Sequence, residues 1–107
     1  MIESSLSDEE LMIQAQKGVL GAFEGIVDRY KGRLMGFLGP YCRWDRALAE
    51  ELVQRTFVKA YTKRSGWRAD RLLAPWFFRI ARNEAVDAWR AARRLESGVQ
   101  SLVPDAL

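Results

Sequence analysis

Residues 48–61 read Leu48-Ala49-Glu50-Glu51-Leu52-Val53-Gln54-Arg55-Thr56-Phe57-Val58-Lys59-Ala60-Tyr61. Leu48, Leu52, Val53, Phe57, Ala60 and Tyr61 recur three and four apart, which gathers them on one side of an α-helix. Asp45 is placed to cap that helix, and Ser65-Gly66 closes it. Upstream, Phe23, Ile26, Val27, Tyr30, Leu34, Phe37 and Leu38 repeat the same spacing, and Gly39-Pro40 ends or kinks the helix they define. Ser7 followed by Glu10 is a capping-box pattern with Leu6 as staple, so a first helix runs from about Asp8 to Lys17 and stops at Gly18. Downstream the pattern lapses from Trp67 to Leu73, giving a basic loop. Pro75 then fits the first turn of a fourth helix, where its missing N–H costs nothing. On that helix Phe77, Ile80, Ala81 and Ala88 form a core side, and Trp76, Arg79, Asn83, Asp87 and Arg90 share a polar stripe. No segment sustains a period of two. The expected fold is all-α, a compact bundle of about four helices.

The chain has 107 residues, which suits one compact domain. Hydrophobic residues make up 49% and charged residues 29%, so wholesale disorder is not expected. The apolar runs are only a few residues long, as at Trp76-Phe77-Phe78, and nothing at the N-terminus reads as a secretion signal. One cysteine, Cys42, cannot make an internal disulfide or a thiolate metal site, and together these features favour the cytoplasm. Histidine is absent, which removes Ser-His-Asp and Cys-His nucleophiles and imidazole bases. No metal or cofactor is expected.

The net charge of +3 hides a split along the chain. Residues 1–58 carry −2, residues 59–94 carry +7 and residues 95–107 carry −2. The basic stretch also holds Trp67, Trp76 and Trp89, three of the four tryptophans. Cations interleaved with aromatic rings suit a single-stranded nucleic acid, which offers phosphates and unstacked bases together. The same residues equally describe a solvated basic helix whose tryptophans are core. Asn83 carries a donor and an acceptor and so can read a base edge, and Trp67 can stack on an extruded base.

Other clusters read as structural. Glu50 and Glu51 point about 100° apart on a helix and do not converge. Asp8, Glu9 and Glu10 sit in a first turn, where acids favour the helix dipole. Gly18-Val19-Leu20-Gly21 lacks the lysine and hydroxyl of a phosphate-binding loop. Cys42, near Arg43, is better read as a small, half-buried residue than as a reactive thiol.

Two ordered blocks give the chain a family likeness. Ala49-Glu50-Glu51-Leu52-Val53-Gln54-Arg55-Thr56-Phe57 with Lys59-Ala60-Tyr61 forms one. Trp67-Arg68, Trp76, Arg79-Ile80-Ala81-Arg82-Asn83, Asp87 and Arg90 form the other. With Asp8-Glu9-Glu10-Leu11, Gly18, Ala22-Phe23 and Arg29-Tyr30 upstream, residues 6–94 resemble region 2 of bacterial extracytoplasmic-function (ECF) sigma factors. The resemblance implies a helical domain that docks on the β′ clamp helices of core RNA polymerase. It also implies recognition and melting of the −10 promoter element through the non-template strand. Carried onto this chain, Glu51, Gln54 and Arg55 become polymerase-docking residues, with Leu52, Val53 and Phe57 equally suited to the core. Lys63, Arg64, Trp67, Arg68 and Ala69 fall near an extruded base, Trp76, Arg79 and Asn83 on the melted strand, and Arg90, Arg93 and Arg94 on the backbone. An anti-sigma factor is an implied partner; a membrane is not.

The chain departs from the family at Arg68, Arg71 and Leu72-Leu73-Ala74-Pro75, where Gly- and Asp-containing loops are common, and at Phe77, where leucine is usual. Nothing after Arg94 resembles region 4, which in the family reads the −35 element. The expected organisation is a region 2-like domain over 1–94 and a linker or flexible tail over 95–107. A second reading is a protein-interaction module that occupies the polymerase clamp or an anti-sigma factor without reading DNA. No residue set supports an enzyme, and no glycine turn joins two short helices as in a helix-turn-helix repressor.

Overall fold

The computed structural model describes residues 5–102, with side chains described as far as Glu96. Helix α1 spans Asp8–Gln16, α2 Leu20–Leu38, α3 Arg46–Thr62 and α4 Leu73–Leu102. Short 3-10 turns at Pro40–Cys42 and Arg64–Gly66 flank α3, and no strand occurs among the described residues. The all-α expectation holds.

Local chemistry sets the boundaries. At α1 the Glu10 N–H donates to Ser7 Oγ (3.0 Å) and the Ser7 N–H donates to Glu10 Oε1 (2.7 Å), a reciprocal capping box. Gly18 then turns the chain at φ +93°, a conformation that side chains disfavour. Between α2 and α3 the Trp44 N–H donates to Gly39 O (2.9 Å), and a Cβ at Gly39 would meet the Trp44 indole at 2.1 Å. Asp45 caps α3 by accepting from the Leu48 N–H at 3.2 Å. Thr56 is fully buried on α3 because its hydroxyl donates to Leu52 O at 2.7 Å. Cys42 is buried rather than half-buried, and burial and then Asp45 push its thiol up, so it is a poor thiolate.

The core forms where α2 meets α1, α3 and the first half of α4. Ile26, Tyr30, Leu34 and Leu38 line the inner side of α2 against Leu11, Met12, Leu52, Leu73 and Phe77, all at 2% exposure or less. Each such side chain contributes on the order of 1.5–3 kcal/mol by burial. One part-buried polar junction ties α1 to α2: Asp8 accepts from Arg29 Nη1 (2.9 Å) and from the Tyr30 hydroxyl (2.8 Å). Another ties α3 to α4, where Lys59 Nζ lies 2.9 Å from Glu84 Oε2 and Glu84 is buried.

Both junctions make the fold sensitive to alkali. Burial and then the Asp8 carboxylate hold the Tyr30 phenol well above its ordinary range. The hydrogen bond and charge of Glu84 raise the Lys59 ammonium. Each group binds its proton more tightly folded than unfolded. Their stabilisation is therefore complete below pH ~10 and is lost as pH rises beyond it. Tyr30, with no exposed surface, supplies the larger share; Lys59 is partly in solvent and adds less. Urea midpoints compared at about pH 8 and about pH 11 are expected to fall for the wild type and to fall less for Tyr30→Phe. Equal drops would remove Tyr30 from the account.

Residues 95–102, read from sequence as part of a linker or tail, are helical. The backbone continues as α4 through Leu102, and residues 103–107 lie outside the described residues. From Trp89 to Glu96 every side chain is exposed, so the helix leaves the bundle instead of ending with it.

Candidate nucleic-acid interface

The basic loop and the start of α4 enclose a cleft of about 360 Å³. Trp67, Leu72, Pro75 and Trp76 supply apolar walls, and Arg68, Arg71 and Arg79 supply the charge, with no acid among the lining residues. Arg68 Nη2 lies 3.2 Å from Asp70 at the rim, and the Arg71 N–H donates to Arg68 O (3.0 Å) to turn the loop. Trp76 is half-buried, its ring edge-on to Phe77 at 5.9 Å between centroids. The arrangement offers a flat aromatic wall beside cations that can approach phosphate, which suits a base and its backbone.

Beyond the cleft, Asn83, Asp87 and Arg90 follow Arg79 on the same side of α4, all exposed. Farther along, Arg93 sits over the Trp89 ring at 4.9 Å, and Arg90, Arg93 and Arg94 are exposed. Lys63, at the end of α3, is exposed too.

Two residues assigned to DNA from sequence are engaged inside the protein. Trp67 is only 3% exposed: its ring belongs to the core, so it is a wall of the cleft and not a free stacking platform. Its indole N–H donates to Leu72 O at a long 3.4 Å. Arg64 is occupied inside the protein. Nε donates to Ala15 O (3.0 Å), Nη1 donates to Tyr61 O (2.8 Å), and the guanidinium lies 4.0 Å over the Tyr61 ring. The last carbonyls of a helix lack their regular partners, and this arginine adds a charged donor to one of α1 and one of α3. The three tryptophans of the basic stretch thus divide between the two open readings, with Trp67 buried, Trp76 intermediate and Trp89 58% exposed.

The other set of sequence candidates lies on α3. Glu51, Gln54 and Arg55 are exposed, Glu51 pairs with Arg55, and the three line a shallow groove with Val58, Lys59 and Glu84. Leu52 and Val53 are core, and Phe57 is half-buried. Sequence reading missed the Lys59–Glu84 bridge, since neither residue shows by type or spacing that it pairs across helices. Among the described residues no group of three or more potential metal ligands comes together.

The sigma-70 region 2 family profile matches residues 26–95. The chain belongs to the sigma-70 region 2 family. Curated relatives of this region 2 domain include the ECF RNA polymerase sigma-E factor of Haemophilus influenzae. It is 32% identical over 101 residues, which cover 94% of this chain and 52% of that protein. The RNA polymerase sigma factor CarQ of Myxococcus xanthus is 35% identical over 86 residues, 80% of this chain and 49% of that one. The chain thus spans about half the length of the curated relatives it matches. Among solved structures, the NMR structure of an engineered region 2 of sigmaE in complex with GTAAAA superposes with a TM-score of 0.79 at 31% identity. The match covers 89% of this chain and 99% of that one.

Proposed function

We propose that this region 2 domain binds core RNA polymerase through the exposed face of α3 and engages the −10 promoter element as melted, non-template single strand. The carrying observation is an arginine-lined, tryptophan-walled cleft in a chain that shares its fold with a region 2 described in complex with GTAAAA. Glu51, Gln54 and Arg55 are the docking residues. Arg68, Arg71, Trp76, Arg79 and Asn83 serve the extruded base and its flanks, and Lys63, Arg90, Arg93 and Arg94 serve the phosphates. Trp67 and Arg64 act from behind, as supports.

Melting asks for no catalytic residue. A flipped base costs a few kcal/mol of lost stacking and pairing, and stacking on protein aromatics returns about 1–3 kcal/mol per base. Binding to polymerase supplies the remainder, so the chain works as a binding factor. Its setting is the cytoplasm, with an anti-sigma factor as regulator. Among the described residues no helix is long and apolar enough to cross a membrane. Residues 1–94 form the working unit, and 95–107 serve as a linker.

Titration calorimetry against an isolated β′ clamp-helix fragment tests docking. The wild type is expected to bind and Gln54→Ala to bind more weakly. Asn83→Ala, at an exposed position, is expected to lose about tenfold affinity for the preferred single-stranded hexamer with an unchanged melting temperature. Clamp binding without any oligonucleotide preference would support the module that occupies the clamp without reading DNA. A flat titration against both would sink the whole proposal.

A further inference from the structure

The cleft is shaped by a helix that contributes nothing to its lining. The side-chain amide of Gln16, in the last turn of α1, donates from one nitrogen to two loop carbonyls, Arg64 O at 2.7 Å and Trp67 O at 2.8 Å. Those carbonyls bracket the 3-10 turn that launches the loop. One residue earlier on α1, Ala15 O accepts from Arg64 Nε at 3.0 Å. At the other end of α1, Glu9 Oε2 accepts from the Leu73 N–H at 2.8 Å, and Leu73 is the first residue of α4. Glu9 therefore caps a helix that begins 64 residues later in the chain. One rigid helix grips both ends of the loop that carries Arg68 and Arg71.

We propose that Gln16 is a positioning residue for base recognition, its two hydrogen bonds fixing where the Trp67–Leu72 loop stands relative to Trp76 and Arg79. The inference rests on the single-strand reading above and adds to it a determinant outside the DNA-contacting elements. The ties within the loop are local: the Trp67 N–H donates to Arg64 O at 3.3 Å, the Arg71 N–H donates to Arg68 O at 3.0 Å, and the Trp67 indole reaches Leu72 O at a long 3.4 Å. Releasing the Gln16 amide leaves Trp67 O to seek water and Arg64 O with the long Trp67 N–H bond, while Arg64 and Glu9 still tie the outer ends of the loop to α1, so the loop loses its register and not its attachment. Arg68 and Arg71 would still meet phosphate from a displaced loop, because charge acts over several ångströms. Base fit would not survive, because a pocket for a planar ring depends on sub-ångström placement. Gln16 is thus expected to govern discrimination while leaving backbone affinity largely in place.

The test compares wild type with Gln16→Met, which keeps volume and removes the donors, and Gln16→Lys, which restores donors at that position. The wild type is first used to select its preferred single-stranded hexamer. The readout is the ratio of affinities for that hexamer and for versions with one base removed at a time. Clamp-helix affinity and the melting temperature are measured in parallel. Gln16→Met is expected to reduce the largest ratio by about tenfold, with clamp-helix affinity unchanged, and Gln16→Lys to recover much of it. An unaltered ratio in Gln16→Met overturns the inference. So does a loss that tracks clamp binding and melting, since that describes general destabilisation. A wild type that shows no base preference overturns the single-strand reading itself, and the wild-type arm shows this before any variant is compared.

Discussion

Phe77→Ala is expected to destabilise the domain by about 3–5 kcal/mol, the range for removing a large buried aromatic. Phe77 has no exposed surface and touches three elements at once. It stacks on Tyr30 of α2 with centroids 4.8 Å apart, meets Phe57 of α3 edge-on at 5.7 Å, and meets Trp76 of its own helix at 5.9 Å. Truncation leaves a cavity bounded by ring faces that cannot collapse together without moving α2 against α4. Domains of this size are stable by roughly 5–15 kcal/mol, so the variant is expected to be marginal at room temperature. Phe77→Leu keeps most of the volume and is expected to cost less than about 1.5 kcal/mol. Urea unfolding followed by circular dichroism measures both. A Phe77→Ala loss as small as that of Phe77→Leu would mean the core closes elsewhere. Trp76 carries the readout to the cleft: in Phe77→Leu its ring loses an edge partner, and hexamer affinity is expected to fall more than clamp affinity.

The helices were legible because their signals are local. Tyr30, Leu34 and Leu38 repeat at helical spacing and are fully buried, and Ser7 and Asp45 cap as their types propose. The loop was less legible. Trp67 and Arg64 look like contact residues by type, yet α1, about 50 residues away in sequence, bonds the Trp67 carbonyl and occupies the Arg64 guanidinium. No window of sequence contains that relation. Gln16 and Glu9 carry no local mark either: an acid in a first turn reads as a dipole partner until another helix is seen to end beside it. The helical run of α4 to Leu102 was less legible for a different reason. Leu95, Val99 and Leu102 are spaced four and three apart, but Ser97-Gly98 and Pro104 mask the period with loop chemistry. The exposure of Lys63, Arg68, Arg79, Asn83, Arg90, Arg93 and Arg94 was legible because a polar side chain in a loop or on an outer helix face needs no tertiary partner to be exposed.

Hexamer affinity is expected to fall about 50-fold between 50 mM and 200 mM salt. Counterion release sets that size: each phosphate neutralised on a single strand contributes about −0.7 to the slope of log affinity on log salt, and about four contacts give a slope near −3. Arg68, Arg71 and Arg79 frame the cleft, and Lys63, Arg90, Arg93 and Arg94 lie exposed beyond it, so four contacts fall within what this surface offers. The variants separate by role. Arg90→Ala is expected to weaken binding to all hexamers alike and to lower the slope by about 0.7, as the loss of one phosphate contact requires. Asn83→Ala is expected to change the ranking of hexamers and leave the slope alone, because a neutral amide releases no counterion. Arg64→Ala is the informative third arm. Its guanidinium already serves Ala15 O and Tyr61 O, so its loss is expected to lower the melting temperature and leave the slope unaltered. Arg64 was placed at the DNA from sequence and behind the loop by the structure, and the slope distinguishes the two placements. A drop of about 0.7 on Arg64→Ala would return that residue to the phosphate-contacting set. A wild-type slope near zero would remove backbone tracking altogether and leave polymerase docking through α3 as the property to pursue.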